Sequence, residues 1–132
     1  MKLTTFNTTN IPNARKQTAN IGVNQKSGTL RINGAAVERM KLKENMQVQF
    51  HHDDENKGDW YLEIVKHDGF LLRKKTVTGE HGLVTQSCAL VRKIFESIKF
   101  EGASGQILIA AEPVKDGDKK LWPLITSSLA IN

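Results

Sequence analysis

The side chains best equipped for chemistry gather in one stretch, His51-His52-Asp53-Asp54-Glu55-Asn56-Lys57-Gly58-Asp59, where two imidazoles and four carboxylates sit close together. Such a set suggests a cation site. Two features argue against it. Adjacent residues on a strand point to opposite faces, so His51 and His52 do not chelate together. The acidic residues also lack the D-x-D-x-D-G order and the distal Glu of a calcium loop. Asp, Asn and Gly dominate turns, so the stretch reads as a solvated hairpin loop that holds no metal. The single cysteine, Cys88, follows a candidate helix N-cap, Ser87, a setting in which reactive cysteines occur. Without a partner base, Cys88 reads as a small buried residue and not as a nucleophile. His67 and His81 fall in or near turns. No nucleophile elbow, phosphate loop or zinc spacing occurs. The chain reads as non-enzymatic and calls for no cofactor.

What remains is positive charge. Lys and Arg number 19 against 14 Asp and Glu, a net charge of +5 with a pI near 9.4. By segment, residues 1–44 carry +6, residues 45–68 carry −4 and residues 69–132 carry +3. A polyanion would prefer one face of such a molecule. The candidate phosphate contacts are Arg15, Lys16, Lys26, Arg31, Arg39 and the run Arg73-Lys74-Lys75. The plain alternative for each is a solvated strand or helix face, and the run also suits the polar end of a strand that keeps an edge soluble. Two Trp, one Tyr and five Phe are few for a base-stacking platform, which weakens a single-strand-binding reading, although Trp60, Tyr61 and Trp122 could serve if exposed. Trp60 and Trp122 read as core.

The elements that position these residues follow from periodicity. A chain of 132 residues with 39% hydrophobic residues makes one compact domain or two intimately packed halves. Residues 1–19, rich in Thr and Asn, form an N-terminal arm. Ala19 to Lys26 reads as a strand with Ile21 and Val23 on one face, and Gln25 to Gly28 as a turn. Thr29-Leu30-Arg31-Ile32 alternates as a half-buried strand does. Asn33 is a suitable N-cap for a short helix through Met40, and Leu42 plugs the core after it. Strands follow at Met46–Phe50, Trp60–Ile64 and Gly69–Lys75.

The same order returns in the second part of the chain. Gly82 matches Gly28, Val84 matches Leu30, and Ser87 matches Asn33. Cys88–Ile98 carries one apolar stripe of Leu90, Val91, Ile94, Phe95 and Ile98. Gln106–Ala111 is the most apolar strand and belongs in the middle of a sheet. Lys115–Lys120 is a hairpin turn, and Leu121–Ile125 the last strand. Pro123 has no N–H, which places that strand at an edge or a bulge. The expected fold is α+β, mainly β: two β-α-β-β pseudo-repeats forming a compact barrel or sandwich. Its divisions are the arm 1–19, a first unit 20–75, a linker 76–81 and a second unit 82–132.

The run G-T-L-R-I-N-G-A-A-V-E-R-M-K-L-K-E-N-M-Q-V-Q-F resembles the swapped-hairpin DNA-binding domains of the AbrB, MazE and SpoVT type. Their pattern is a strand G-R-V-x-I-P, a short helix ending in Leu, a Gly-Asp turn, and a strand with alternating V-x-I/F. Gly28, Leu30, Ile32, Val37, Met40, Leu42, Val48 and Phe50 fall on those positions. Asn33 stands where the family has Pro, and Glu44-Asn45 where it has Gly-Asp. The resemblance implies basic residues directed at a DNA backbone, which Lys26, Arg31 and Arg39 match on spacing and charge.

The expected function is a nucleic-acid-binding or regulatory protein that contacts the phosphates of duplex DNA through a basic face. The competing expectation is a structural or assembly module, of phage or mobile-element type, in which the repeat is a scaffold and the arm grips a partner or a second copy. No apolar run approaches the roughly 20 residues of a membrane span. The N-terminus lacks the apolar core of a signal peptide, and one cysteine fits a reducing compartment. A cytoplasmic protein with no membrane partner is expected.

Overall fold

The computed structural model describes residues 2–3, 18–56, 58–74 and 82–127, so most of the arm and all of the 76–81 linker expected from the sequence lie outside the described residues. The chain is mainly β. β1 (Asn20–Asn24) and β2 (Thr29–Ile32) form a hairpin, followed by α1 (Gly34–Met40) and the hairpin of β3 (Gln47–His52) and β4 (Trp60–Val65). β5 (Phe70–Leu71) and β6 (Arg73–Lys74) are two pieces of one extended stretch. β7 (Leu83–Gln86), α2 (Cys88–Ser97), β8 (Ser104–Ile109), β9 (Val114–Asp116) and β10 (Lys119–Ile125) complete the chain.

All strand pairs are antiparallel, in the order β5-β3-β4-β10-β8-β1-β2-β7-β6, with β9 attached to β10. The two ends of that list, β5 and β6, are separated in the chain by Leu72 alone. One stretch therefore pairs first with β3 and then with β7, and the sheet nearly closes into a barrel. Leu72 is fully buried at the changeover. Its N–H donates to the Met46 carbonyl and its own carbonyl accepts from the Asn45 N–H, both at 2.8 Å. Asn45 adopts φ 74°, so it supplies the left-handed backbone that a turn glycine would otherwise give.

The core fills the barrel with alternate residues of its walls, among them Ile21, Val23, Leu30, Ile32, Val48, Leu62 and Ile107. Val91, Ile94 and Phe95 of α2 and Ala36 and Met40 of α1 join the same cluster. Trp60 and Trp122 are buried, and they pair across β4 and β10: Trp60 opposite Leu124, Trp122 opposite Leu62. The Trp60 indole N–H donates to Ser97 Oγ at 2.8 Å, which in turn donates to the Ile94 carbonyl.

Both helices begin and end by the same device. Asn33 Oδ1 accepts from Ala36 N at 3.0 Å, and Ser87 Oγ from Leu90 N at 3.2 Å. Asn33 does more than cap, because it also accepts from Asn20 N and donates to the Thr18 carbonyl, which ties the start of β1 to α1. At the far ends, Leu42 N donates to Val37 O and Lys41 N to Glu38 O, while Phe100 N donates to Phe95 O and Lys99 N to Glu96 O. These are paired Schellman closures. Each places a lysine where glycine is usual, Lys41 at φ 55° and Lys99 at φ 56°. The hydrophobic contact of the second is the edge-to-face pair Phe95–Phe100, 4.9 Å between centroids.

Four expectations need correction. Val84 does not take the place of Leu30: Leu30 stands opposite Thr85, while Val84 stands opposite exposed Arg31, so the inward positions of β7 are Leu83 and Thr85. Lys115–Lys120 is not all turn. Lys115 and Asp116 pair with Lys120 and Lys119, and Gly117-Asp118 makes the bend. β10 is no edge, since it lies between β4 and β8. Pro123 is tolerated because its carbonyl accepts from Ala110 N, so its nitrogen faces the gap where β8 ends and β9 has not begun. Finally, the Cys88 side is exposed, not buried. It opens α2 directly against Gly28, whose φ of 71° and close approach (a Cβ there would lie 2.5 Å from Cys88 Sγ) leave room for no larger residue.

Candidate nucleic-acid interface

Register decides which basic side chains share a face. Arg73, Val84, Arg31, Gly22 and Gln106 stand side by side across β6, β7, β2, β1 and β8. Their neighbours inward along β2, Leu30 and Ile32, are fully buried, so this row points out of the barrel. Gln86, Thr29, Asn24 and Ser104 form the next outward row. Neither row contains an Asp or a Glu. Arg31 and Arg73 lie two strands apart, about 10 Å at the usual strand spacing, with only Val84 between them.

The other candidates fall elsewhere. Lys26 is exposed in the β1–β2 turn, at the rim of this wall, where its N–H donates to Asn24 Oδ1 at 2.9 Å. The turn is fixed to the wall by Gln86 Nε2, which donates to the Ser27 carbonyl at 2.7 Å. Arg39 is used structurally: its Nη1 donates to the carbonyls of Ile109 (2.7 Å) and Ala110 (3.3 Å), holding the end of β8. Lys74 stands opposite buried Leu83, out of phase with Arg73, and its backbone N–H donates to Glu44 Oε2. The Arg73-Lys74 pair is therefore split between two faces by strand alternation. Arg15, Lys16 and Lys75 lie outside the described residues.

The acidic hairpin belongs to the far wall, since β3 and β4 lie across the ring from β1 and β2. His51 Nε2 is 2.8 Å from Glu63 Oε1, whereas His52 stacks on Trp60, 4.6 Å between centroids. The two imidazoles thus serve different faces. Asp53 accepts from the backbone N–H groups of Glu55 and Asn56, and the Glu55 bond first of all holds its carboxyl below the ordinary value. The loop is organised by its own turn hydrogen bonds.

The sequence pointed to Arg73 by charge alone, and to Arg31 by charge and by the resemblance to the swapped-hairpin domains. The polar companions Thr29, Asn24, Gln86 and Gln106 were not legible, because no charge or motif marks them and only the pairing of β1, β2, β7 and β8 puts them in line. Among the described residues no helix is long and apolar enough to cross a membrane. No protein-family model, curated protein or solved structure matches the chain.

Proposed function

We propose that this is a non-enzymatic nucleic-acid-binding protein that holds the phosphate backbone against the outer face of β6, β7, β2, β1 and β8. Arg31 and Arg73 are the cations within that face and Lys26 is the cation at its rim. One observation carries the reading: two consecutive outward rows hold two arginines and no carboxylate, in a chain with 14 Asp and Glu. The uncharged Asn, Thr, Ser and Gln side chains of those rows are of the kind that contact phosphate and sugar without reading sequence. The resemblance of Gly28–Phe50 to the swapped-hairpin DNA-binding domains supports the same reading.

So does a symmetry in the pairing, which we read as two β-β-α-β-β halves, 20–65 and 70–125. In this scheme β2 meets β7 and β4 meets β10, each the counterpart of the other, while β1 stands between β2 and β8 as the Phe70–Lys74 stretch stands between β7 and β3. The matched helix closures at Lys41 and Lys99 fit it too.

The test is fluorescence anisotropy with a short labelled duplex across a salt series. Arg31→Ala with Arg73→Ala is expected to weaken binding equally on unrelated sequences and to flatten the log–log salt slope by about two units, at roughly 0.9 per lost phosphate contact. Lys115→Ala, on β9 and away from the wall, is expected to leave affinity unchanged. Absence of binding to duplex and single-stranded DNA at about 50 mM salt, where electrostatic affinity is high, removes the reading.

A second reading, a structural or assembly module, is favoured by exposed Val114 (50%) and Ile125 (41%) on β9 and β10. It predicts a stable complex on sizing and no retention of duplex DNA even at low salt.

A further inference from the structure

One part of the ring is incompletely paired. β1 meets β8 along Asn20–Asn24 and β2 along Ile21–Asn24. The Phe70–Lys74 stretch meets β3 only through Phe70 and Leu71, and β7 only through Arg73 and Lys74. The facing edges of Phe70–Leu71 and Thr85–Gln86 therefore diverge, and a cleft of about 600 Å3 opens between them. That volume falls within the roughly 300–1,000 Å3 of small-molecule sites.

The lining is chemically specific. Arg73 brings a cation, Phe70 an aromatic ring, Thr85 a hydroxyl and Gln86 a carboxamide, with Val84 and Leu71 as apolar walls and no carboxylate. Phe70 is half-buried and held edge-to-face by Phe50, 6.0 Å between centroids. The Gln86 amide is fixed by its bond to the Ser27 carbonyl. Thr85 is one of two buried polar residues among those described. Together these are the complements of a nucleotide: an anion partner, a stacking surface and hydrogen-bonding groups for a base edge.

We propose that this cleft takes one unpaired nucleotide of a bound strand, with its phosphate at Arg73, its base against Phe70 and its base edge on Thr85, while Gln86 stays on the outer face at the mouth. The inference rests on the wall reading above and deepens it. Arg73 belongs to both the outward row and the cleft, so a backbone lying along the row passes the mouth of the cleft. The preferred ligand is then single-stranded or locally unpaired nucleic acid, because a base within an intact duplex is not free to enter.

The test compares single-stranded and duplex oligonucleotides of equal length at one salt concentration, with 2-aminopurine in the single strand. The single strand is expected to bind about tenfold more tightly, the order of one base–aromatic stack, with a change in 2-aminopurine emission on binding. Thr85→Val and Phe70→Leu are each expected to abolish the emission change and to bring single-strand affinity down to the duplex value, leaving duplex affinity within about twofold. Thr85→Val is close in shape to the native residue, so it decides the matter if Phe70→Leu melts the barrel. Equal affinities, or an emission change that both variants retain, overturn the cleft while Arg31→Ala continues to report on the wall. Failure of both oligonucleotides to bind overturns the wall reading and the cleft together.

Discussion

Lysine does glycine's work at two places among the described residues. Lys41 and Lys99 sit in the left-handed region just past α1 and α2, which costs an L-residue about 1–2 kcal/mol. Glycine there relieves that strain but starts from a freer unfolded chain. Lys41→Gly and Lys99→Gly are each expected to raise the unfolding free energy by about 0.5–1 kcal/mol in urea titrations. A loss at either site would show that the lysine side chain contributes more than the strain removes. Asn33 is the reverse case, a residue whose replacement by the resembled family's own choice is harmful. Its φ of −74° suits proline, but its N–H donates to the Asn20 carbonyl and its side chain reaches Ala36, Asn20 and Thr18. Asn33→Ala is expected to cost about 1–2 kcal/mol, the usual scale for a lost cap. Asn33→Pro removes the β1 tie as well and is expected to cost more, which ranked thermal melts of the two variants would check.

At the level of elements, the feature that decides the architecture is the stretch from Phe70 to Lys74. Leu72 is its pivot, fully buried and hydrogen-bonded on both sides of its peptide to the turn before β3. Leu72→Ala is expected to cost about 2–5 kcal/mol, the range for truncating a buried leucine, and to loosen β6 more than β1 in hydrogen exchange. Uniform protection across both would contradict a pivot role. Much of the fold was legible: both N-caps, both helices and most strands follow from alternation and from the Asn and Ser that precede the apolar stripes. Three things were not. The phase of β7 was read one residue out because Val84 is the more apolar neighbour of Thr85, and nothing local says that the threonine faces in. The interior place of β10 was missed because Pro123 suggests an edge or a bulge, and nothing local says that its nitrogen falls where the neighbouring strand has ended. The split of Phe70–Lys74 between two partners is a long-range fact with no local signature. The candidate site suffered in the same way, since strand alternation separates Arg73 from Lys74 although they are adjacent in sequence.

At the scale of the molecule, charge is sorted by wall. The row through Arg31 and Arg73 lies on one side of the ring and the Asp53–Asp59 hairpin on the other. A polyanion meeting the protein would be oriented before contact, and the approach rate is expected to fall steeply as salt rises through the range where the Debye length shrinks from about 30 to 10 Å. Stopped-flow association at two ionic strengths would show this. A rate indifferent to salt would mean that the dipolar distribution does not guide encounter.

The pairing pattern also says something about how the chain can be divided. Neither 20–65 nor 70–125 contains a complete sheet. In the first, the β1–β2 and β3–β4 hairpins pair with strands of the second, and not with each other. Isolated hairpins are marginal in water. A cut in the exposed Lys66–Asp68 turn should therefore yield two pieces that are unfolded or insoluble alone and that assemble when expressed together. Such a pair would act as a conditional switch, regaining its fold only where both pieces are present, and co-purification of the two from one cell is the measurement that would show it.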